Sequence, residues 1–210
     1  MSFKYKGSKV LLTEGINDCH VISALCKHYK IPETFGLYEC GSDELALKRL
    51  TALLATPEQI ETIGIVIDAD NPALIAKWQA VKDRLQKSGI TAIQDAPGLT
   101  GTIIPSTNGL PKVGVWLMPN NQIDGMLEDF CSQLAHPIGV GFAEKCVNEA
   151  KANDVTTFID AHKTKAVIHT FLAWQHEPGM PLGQAITTRT LNPDNALAKI
   201  FADWLTQLFQ

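Results

Sequence analysis

Residues 63 to 67 read Ile-Gly-Ile-Val-Ile, an apolar run with no polar position and no alternation, and the run stops on Asp68-Ala69-Asp70. A strand that is apolar on both sides needs cover on both faces, the condition of a central parallel strand between two layers of helix. A second compact run, Lys9 to Thr13, stops on Glu14-Gly15 and leads into a helical pattern with Val21, Ile22, Leu25 and Tyr29 on one face and Asn17 as its expected cap. Strands alternating with helices predict a mostly parallel sheet joined by right-handed crossovers.

The same punctuation continues. Phe35 to Tyr38 reads as a short strand, and Ser42 caps a helix expected to turn Leu45, Leu50, Leu53 and Leu54 inward. Asn71 and Pro72 read as the cap and first position of a helix carrying Leu74, Ile75, Trp78, Val81 and Leu85, stopped by Gly89. Ile90 to Gln94 is expected as a strand, and Ile103-Ile104, Asn108-Gly109 and Val113 to Met118 as a hairpin or strand pair. Helices follow near 122–134, 140–152, 160–175 and 194–208, the last opened by Asn192-Pro193, with Glu177 to Gly183 as a tight connection. Trp78, Trp174 and Trp204 fall on apolar helix faces and read as core, whereas Trp116 fits either core or a binding surface.

The expected fold class is therefore α/β, a Rossmann-like mostly parallel sheet with helices on both faces and a helical C-terminal extension. The expected division is an α/β unit over 1–135 and an extension over 136–210 packed on the same core. With 210 residues, 45% hydrophobic and 19% charged, the chain can bury one full core. Its formal charge of −4 repels a polyanion unless positive charge is gathered locally. Five scattered cysteines without a CxxC pair argue against both a disulfide framework and a zinc site. The first apolar run is too short for a signal-peptide core and no run approaches the roughly 18 residues of a membrane span, so a cytoplasmic location is expected.

In an open parallel sheet, ligands sit beyond the carboxyl ends of the strands, where both acidic groups fall. Asp68 and Asp70 share a side if the extended backbone persists through Ala69, and Glu14 faces them from a neighbouring strand. Crowded carboxylates raise one another's pKa unless a counter-charge is present. Oxygen-only donors suit magnesium, or manganese in its place, and two such ions serve phosphoryl transfer.

Glu14-Gly15-x-x-Asp18 after one apolar strand and Asp68-x-Asp70 after another resemble the Toprim domain shared by topoisomerases, bacterial primases and OLD-type nucleases, over roughly residues 8 to 130. The segments PNNQIDGMLEDF and PGMPLGQAI further resemble small stand-alone Toprim-like proteins related to the OLD nucleases, a group with no settled activity to transfer. The resemblance implies magnesium on Glu14, Asp18, Asp68, Asp70 and Glu128, with Asp129 as the alternative to Glu128. It implies catalytic roles for Glu14 and for a lysine, Lys165 or Lys163. The function it implies is a metal-dependent nuclease on DNA or RNA. The alternative is a non-catalytic Toprim-like scaffold in a multi-protein, anti-phage type of complex. No GxxxxGK[ST] loop is present, so ATP control would need a separate ATPase chain; nucleic acid and further copies of the chain are the other compatible partners, and a membrane is not.

Each residue also has a plainer use. Asp68 and Asp70 can cap a following helix, Glu14 can be an exposed turn acid, and Asp18 can serve a helix dipole. One acid of Glu128-Asp129 would face solvent, and lysines commonly snorkel on helix surfaces. The six histidines lack any paired metal spacing, and His162, near Lys165, is the one placed to matter.

Overall fold

A computed structural model of the chain describes residues 7–56, 60–70 and 73–210. Among these, five strands form one sheet: β1 (Lys9–Thr13), β2 (Gly36–Glu39), β3 (Thr62–Asp68), β4 (Thr102–Ile104) and β5 (Lys112–Met118). Their order is β2-β1-β3-β5-β4, with β4 antiparallel to β5 and the other pairs parallel. The helices are α1 (Ile16–Tyr29), α2 (Asp43–Leu54), α3 (Leu74–Lys87), α4 (Leu127–Leu134), α5 (Pro137–Ala152), α6 (Lys163–Ala173), α7 (Leu182–Thr187) and α8 (Ala196–Phe209). The fold is the expected α/β class, a mostly parallel sheet with helices on both faces.

The chain leaves β1 toward β2 and then crosses back past β1 to β3. Right-handed crossovers in opposite directions put the intervening helices on opposite faces, so the switch point lies between β1 and β3. On one face α2 and α3 cover Val10, Leu12, Ile63, Ile65, Ile67, Val113, Val115 and Leu117. On the other, Leu11, Val66, Trp116 and Met118 join a core with residues of α1 and of α4 through α8. The helices beyond residue 135 thus share that core with the sheet. Trp116 is fully buried, which makes it core.

Gly64 and Gly114 are register partners on β3 and β5. A Cβ on Gly114 would run into the Leu208 side chain of α8 at 2.3 Å, and one on Gly64 would meet Leu11 at 2.5 Å and Leu208 at 3.0 Å. The paired glycines form a notch in the sheet that lets α8 sit close.

Several local expectations are corrected. Residues 90 to 94 form no strand: the place beside β5 is taken by the returning β4, and this segment crosses α3, where the Gln94 carbonyl accepts from the Trp78 indole at 3.3 Å. The cap of α1 is Gly15, not Asn17, because Asp18 in the first turn accepts the Gly15 N–H at 3.0 Å. The cap of α8 is Asn195, whose side chain accepts from Leu197 N–H at 2.8 Å, while Asn192-Pro193 forms the turn before it. Within the stretch read as a connection, Leu182 opens α7, and Gly183 meets the His20 backbone of α1 so closely that a Cβ would lie 2.7 Å from its carbonyl oxygen.

The helices near 122–134 and 140–152 begin at Leu127 and Pro137 instead, and a 3₁₀ turn, Asp160–His162, precedes α6. Leu45, Ile75 and Trp174 are exposed. The inward stripe of α2 runs through Ala46, Leu47, Leu50 and Leu54, that of α3 through Leu74, Lys77, Trp78, Val81 and Leu85, and Trp174 lies past the end of α6 against Phe142. Ser42 does cap α2, accepting from Leu45 N–H at 3.2 Å. Asn71 and Pro72, read as a helix start, lie outside the described residues; α3 begins at Leu74 after Ala73. The five cysteines are free thiols. Among the described residues no helix is long and apolar enough to cross a membrane.

Candidate metal centre

Glu14 and Asp68 leave the adjacent strands β1 and β3 at the switch point. The Glu14 carboxylate accepts the backbone N–H of Asp68 at 2.7 Å, so the end of one strand is clamped to the end of the next. The Asp68 carboxylate accepts the N–H of Leu127, the first residue of α4, at 2.9 Å. Asp124, in the loop before α4, returns the contact by accepting the N–H of Leu74, the first residue of α3, at 2.8 Å. Paired Ala69 and Gly125 backbones zip the two loops together, with N–H···O distances of 2.8 and 3.1 Å. Each loop thus satisfies a terminal N–H that the other's helix leaves open.

These bonds draw acids from four segments into one place. Asp18 on α1 and Glu128 on α4 are 6% and 5% exposed. One Asp18 oxygen bonds Gly15, while the other, Oδ1, is buried without a hydrogen-bond partner. Burial pushes the Asp68 carboxyl up to about 9, aided by the charges of Asp18, Glu14, Glu128 and Asp70. Burial likewise raises Asp18 to about 7, with Glu14 and Glu128 adding to it. Glu14 is raised by burial too, although the Asp68 N–H and the charge of Lys77 hold it back. A cation among these groups would reverse those shifts, since it stabilises every ionised form at once.

The structure brings Glu14, Asp18, Asp68 and Glu128 together, with the exposed Asp70 close enough for its charge to act on Glu14 and Asp68. Of the two lysines, Lys165 reaches the group, its ammonium 3.8 Å from Glu128, whereas Lys163 bonds Glu144 at 3.2 Å. Asp129 turns away to the Met126 N–H at 2.8 Å, so Glu128 is the inward member of the pair. His162 is exposed before α6. Among the described residues no three His, Cys, Asp or Glu side chains stand as a ready-made metal-binding group. Glu14, Asp18 and Asp68 each direct one oxygen at a backbone N–H.

One member of the neighbourhood escaped the sequence reading. Lys77 is 1% exposed and bonds Asp43, at the start of α2, at 2.6 Å. Burial pushes the Asp43 carboxyl up, but the bond and charge of Lys77 outweigh it and hold it below the usual range. Lys77 stands in the apolar stripe between Leu74 and Trp78, and a lysine in such a stripe is the signal that marks it.

Two of the three comparisons with known proteins are negative: no curated protein and no solved structure matches the chain. One family model, described as Protein of unknown function (DUF3226), matches residues 8–210.

Proposed function

Because the chain belongs to the DUF3226 family, whose description assigns no function, its role must be argued from the acidic centre, and we propose that it is a divalent-metal-dependent phosphoryl-transfer enzyme, a Toprim-like nuclease acting on DNA or RNA. The observation that carries this reading is the gathering of four carboxylates at the switch point, Asp18 and Glu128 buried and Glu14 and Asp68 half-buried, with an Asp18 oxygen buried without a hydrogen-bond partner. Like charges out of water oppose one another, and a cation among them would offset that cost. The donor set is all oxygen, which fits magnesium or manganese.

In this reading Glu14, Asp18, Asp68 and Glu128 would hold the cation, with Asp70 at the rim. The bound ion would supply Lewis acidity toward a phosphoryl oxygen and lower the pKa of a bound water. Glu14, beside the ion, would accept a proton. Lys165, half-exposed beside Glu128, would steady negative charge developing on the phosphate.

The test is cleavage of single-stranded, duplex and structured DNA and RNA in magnesium or manganese. Wild type is expected to cut at least one of them, and Asp68→Ala to lose at least about a hundredfold in rate. No cleavage of any substrate would sink the reading.

A second reading, a Toprim-like scaffold without catalysis, draws on one specific observation. The carboxylates of Asp68, Asp18 and Glu14 already satisfy the N–H groups of Leu127, Gly15 and Asp68. Titration calorimetry separates the two: the scaffold predicts no magnesium or manganese binding that depends on Asp68.

A further inference from the structure

Beside the acidic centre, along the outer edge of the sheet, lies a shallow cavity of about 310 Å³ lined by Tyr38, Cys40, Leu45, Lys48, Arg49 and Ala52. It is built by the end of β2, the loop after it and the first three turns of α2. Its wall is tied to the centre: Cys40 and Gly41 donate their N–H groups to the carbonyls of Thr13 and Glu14 at 2.9 and 2.7 Å. Burial pushes the Cys40 thiol up to about 11, with the charge of Arg49 opposing the rise and that of Glu14 adding to it.

The cavity holds an exposed arginine whose partner among the described residues is an aromatic ring and not a carboxylate. The Arg49 guanidinium lies over the Tyr38 ring, 4.8 Å from its centroid, and makes no ion pair among the described residues. Lys48 is committed to Glu44 at 2.7 Å, one turn back on the same helix. In a chain of net charge −4, an arginine held on a ring and unmatched by a carboxylate is suited to a multi-oxygen anion such as a phosphate, two of whose oxygens its planar fork can meet. Leu45, 49% exposed although the helix pattern assigned it to the core, supplies an apolar wall beside it. An anion joined to a flat or apolar body matches both walls. The volume is at the low end for ligand pockets, which run roughly 300–1,000 Å³. That is room for one small unit, and the single unmatched cation falls short of the row of basic side chains a duplex backbone requires.

We infer that this cavity binds one nucleotide, its phosphate on Arg49 and its sugar or base against Leu45 and Tyr38, so that the chain carries a nucleotide subsite next to the acidic centre. The inference rests on the nucleic-acid reading above for its choice of anion. The ligand is either a residue of a strand running into the centre or a free nucleotide.

The experiment measures binding of a labelled single-stranded octamer, and of AMP, to the full chain in calcium at low salt. Wild type, Arg49→Ala, Arg49→Lys and Lys145→Ala are compared. Lys145 is an exposed lysine on α5 and controls for the change in net charge. Arg49→Ala is expected to weaken binding at least about tenfold, Arg49→Lys to recover part of that, and Lys145→Ala to change little, since charge alone does not replace the guanidinium fork. Loss confined to the octamer identifies the strand, and loss of AMP binding identifies the free nucleotide. Binding of neither probe, or equal loss in Arg49→Ala and Lys145→Ala, overturns the subsite. Cleavage by wild type with KM unchanged in Arg49→Ala overturns the subsite alone. Arg49-dependent binding without cleavage in magnesium or manganese overturns the nuclease reading alone.

Discussion

Asp68 is a half-buried acid whose carboxyl is pushed well above the usual range by burial and by its acidic neighbours. Its folded carboxyl is raised from 3.8 to about 9, so between those values the folded chain binds a proton that the unfolded chain has released. Stability then falls as pH rises, because the unfolded state holds fewer protons throughout that window. Asp18 adds the same sign between 3.8 and about 7. In EDTA the melting temperature is therefore expected to drop from pH 5 to pH 9. Asp68→Asn keeps an oxygen for the Leu127 N–H and removes the ionisation. At pH 8 it is expected to melt at least ~2–4 °C higher than wild type, the shift given by about 1 kcal/mol in a domain of this size. At pH 5 the gap should narrow; equal gaps at both values would show that the acid's titration is not the cause. At this scale the sequence was informative about identity: Glu14 and Asp68 stand where strands end, and that position is readable from the apolar runs before them. It was silent about Lys77, since placing a lysine inside requires knowing which side of α3 meets the sheet.

Helix α8 is held by a fit between elements. Leu208 fills the notch over Gly64 and Gly114, and burying a leucine side chain fully is worth about 1.5–3 kcal/mol. Gly114→Ala is expected to cost about 1–3 kcal/mol in urea unfolding, through overpacking against that side chain. Adding Leu208→Ala should recover part of the loss, and a strictly additive double-mutant cycle would show that the two positions do not meet in this way. The reciprocal capping of α3 and α4 is testable at the same scale. Asp124→Ala opens the Leu74 N–H and is expected to destabilise by about 0.5–2 kcal/mol. Neither device is legible along the chain. Gly64 and Gly114 are fifty positions apart and become partners only when β3 and β5 pair in register. Asp124 likewise caps a helix that begins fifty residues earlier, which no local cap pattern reveals.

For the whole molecule, a cation held at the acidic centre as proposed would couple binding to folding. A cation bound only by the folded chain adds stability as RT ln(1 + [L]/Kd), about 2.7 kcal/mol at a hundredfold excess over Kd. Magnesium at that excess and pH 8 should raise the melting temperature by about 5–10 °C. Asp68→Ala should abolish the rise, and an unchanged rise in that variant would place the bound ion elsewhere. The alternation of strands and helices from β1 to α3, the mostly parallel character of the sheet and the acids at the strand ends were legible in the sequence itself. Hydrophobic periodicity and strand-end residues are local signals that survive without neighbours. Tertiary structure alone decided that residues 90 to 94 stay outside the sheet, that Leu45 opens onto a cavity, that Glu128 and not Asp129 turns inward, and that Lys165 and not Lys163 reaches it. Each of those outcomes depends on which surface a segment meets when the chain closes, and on charges brought together from α1, α4, β1 and β3, which the order of residues does not contain.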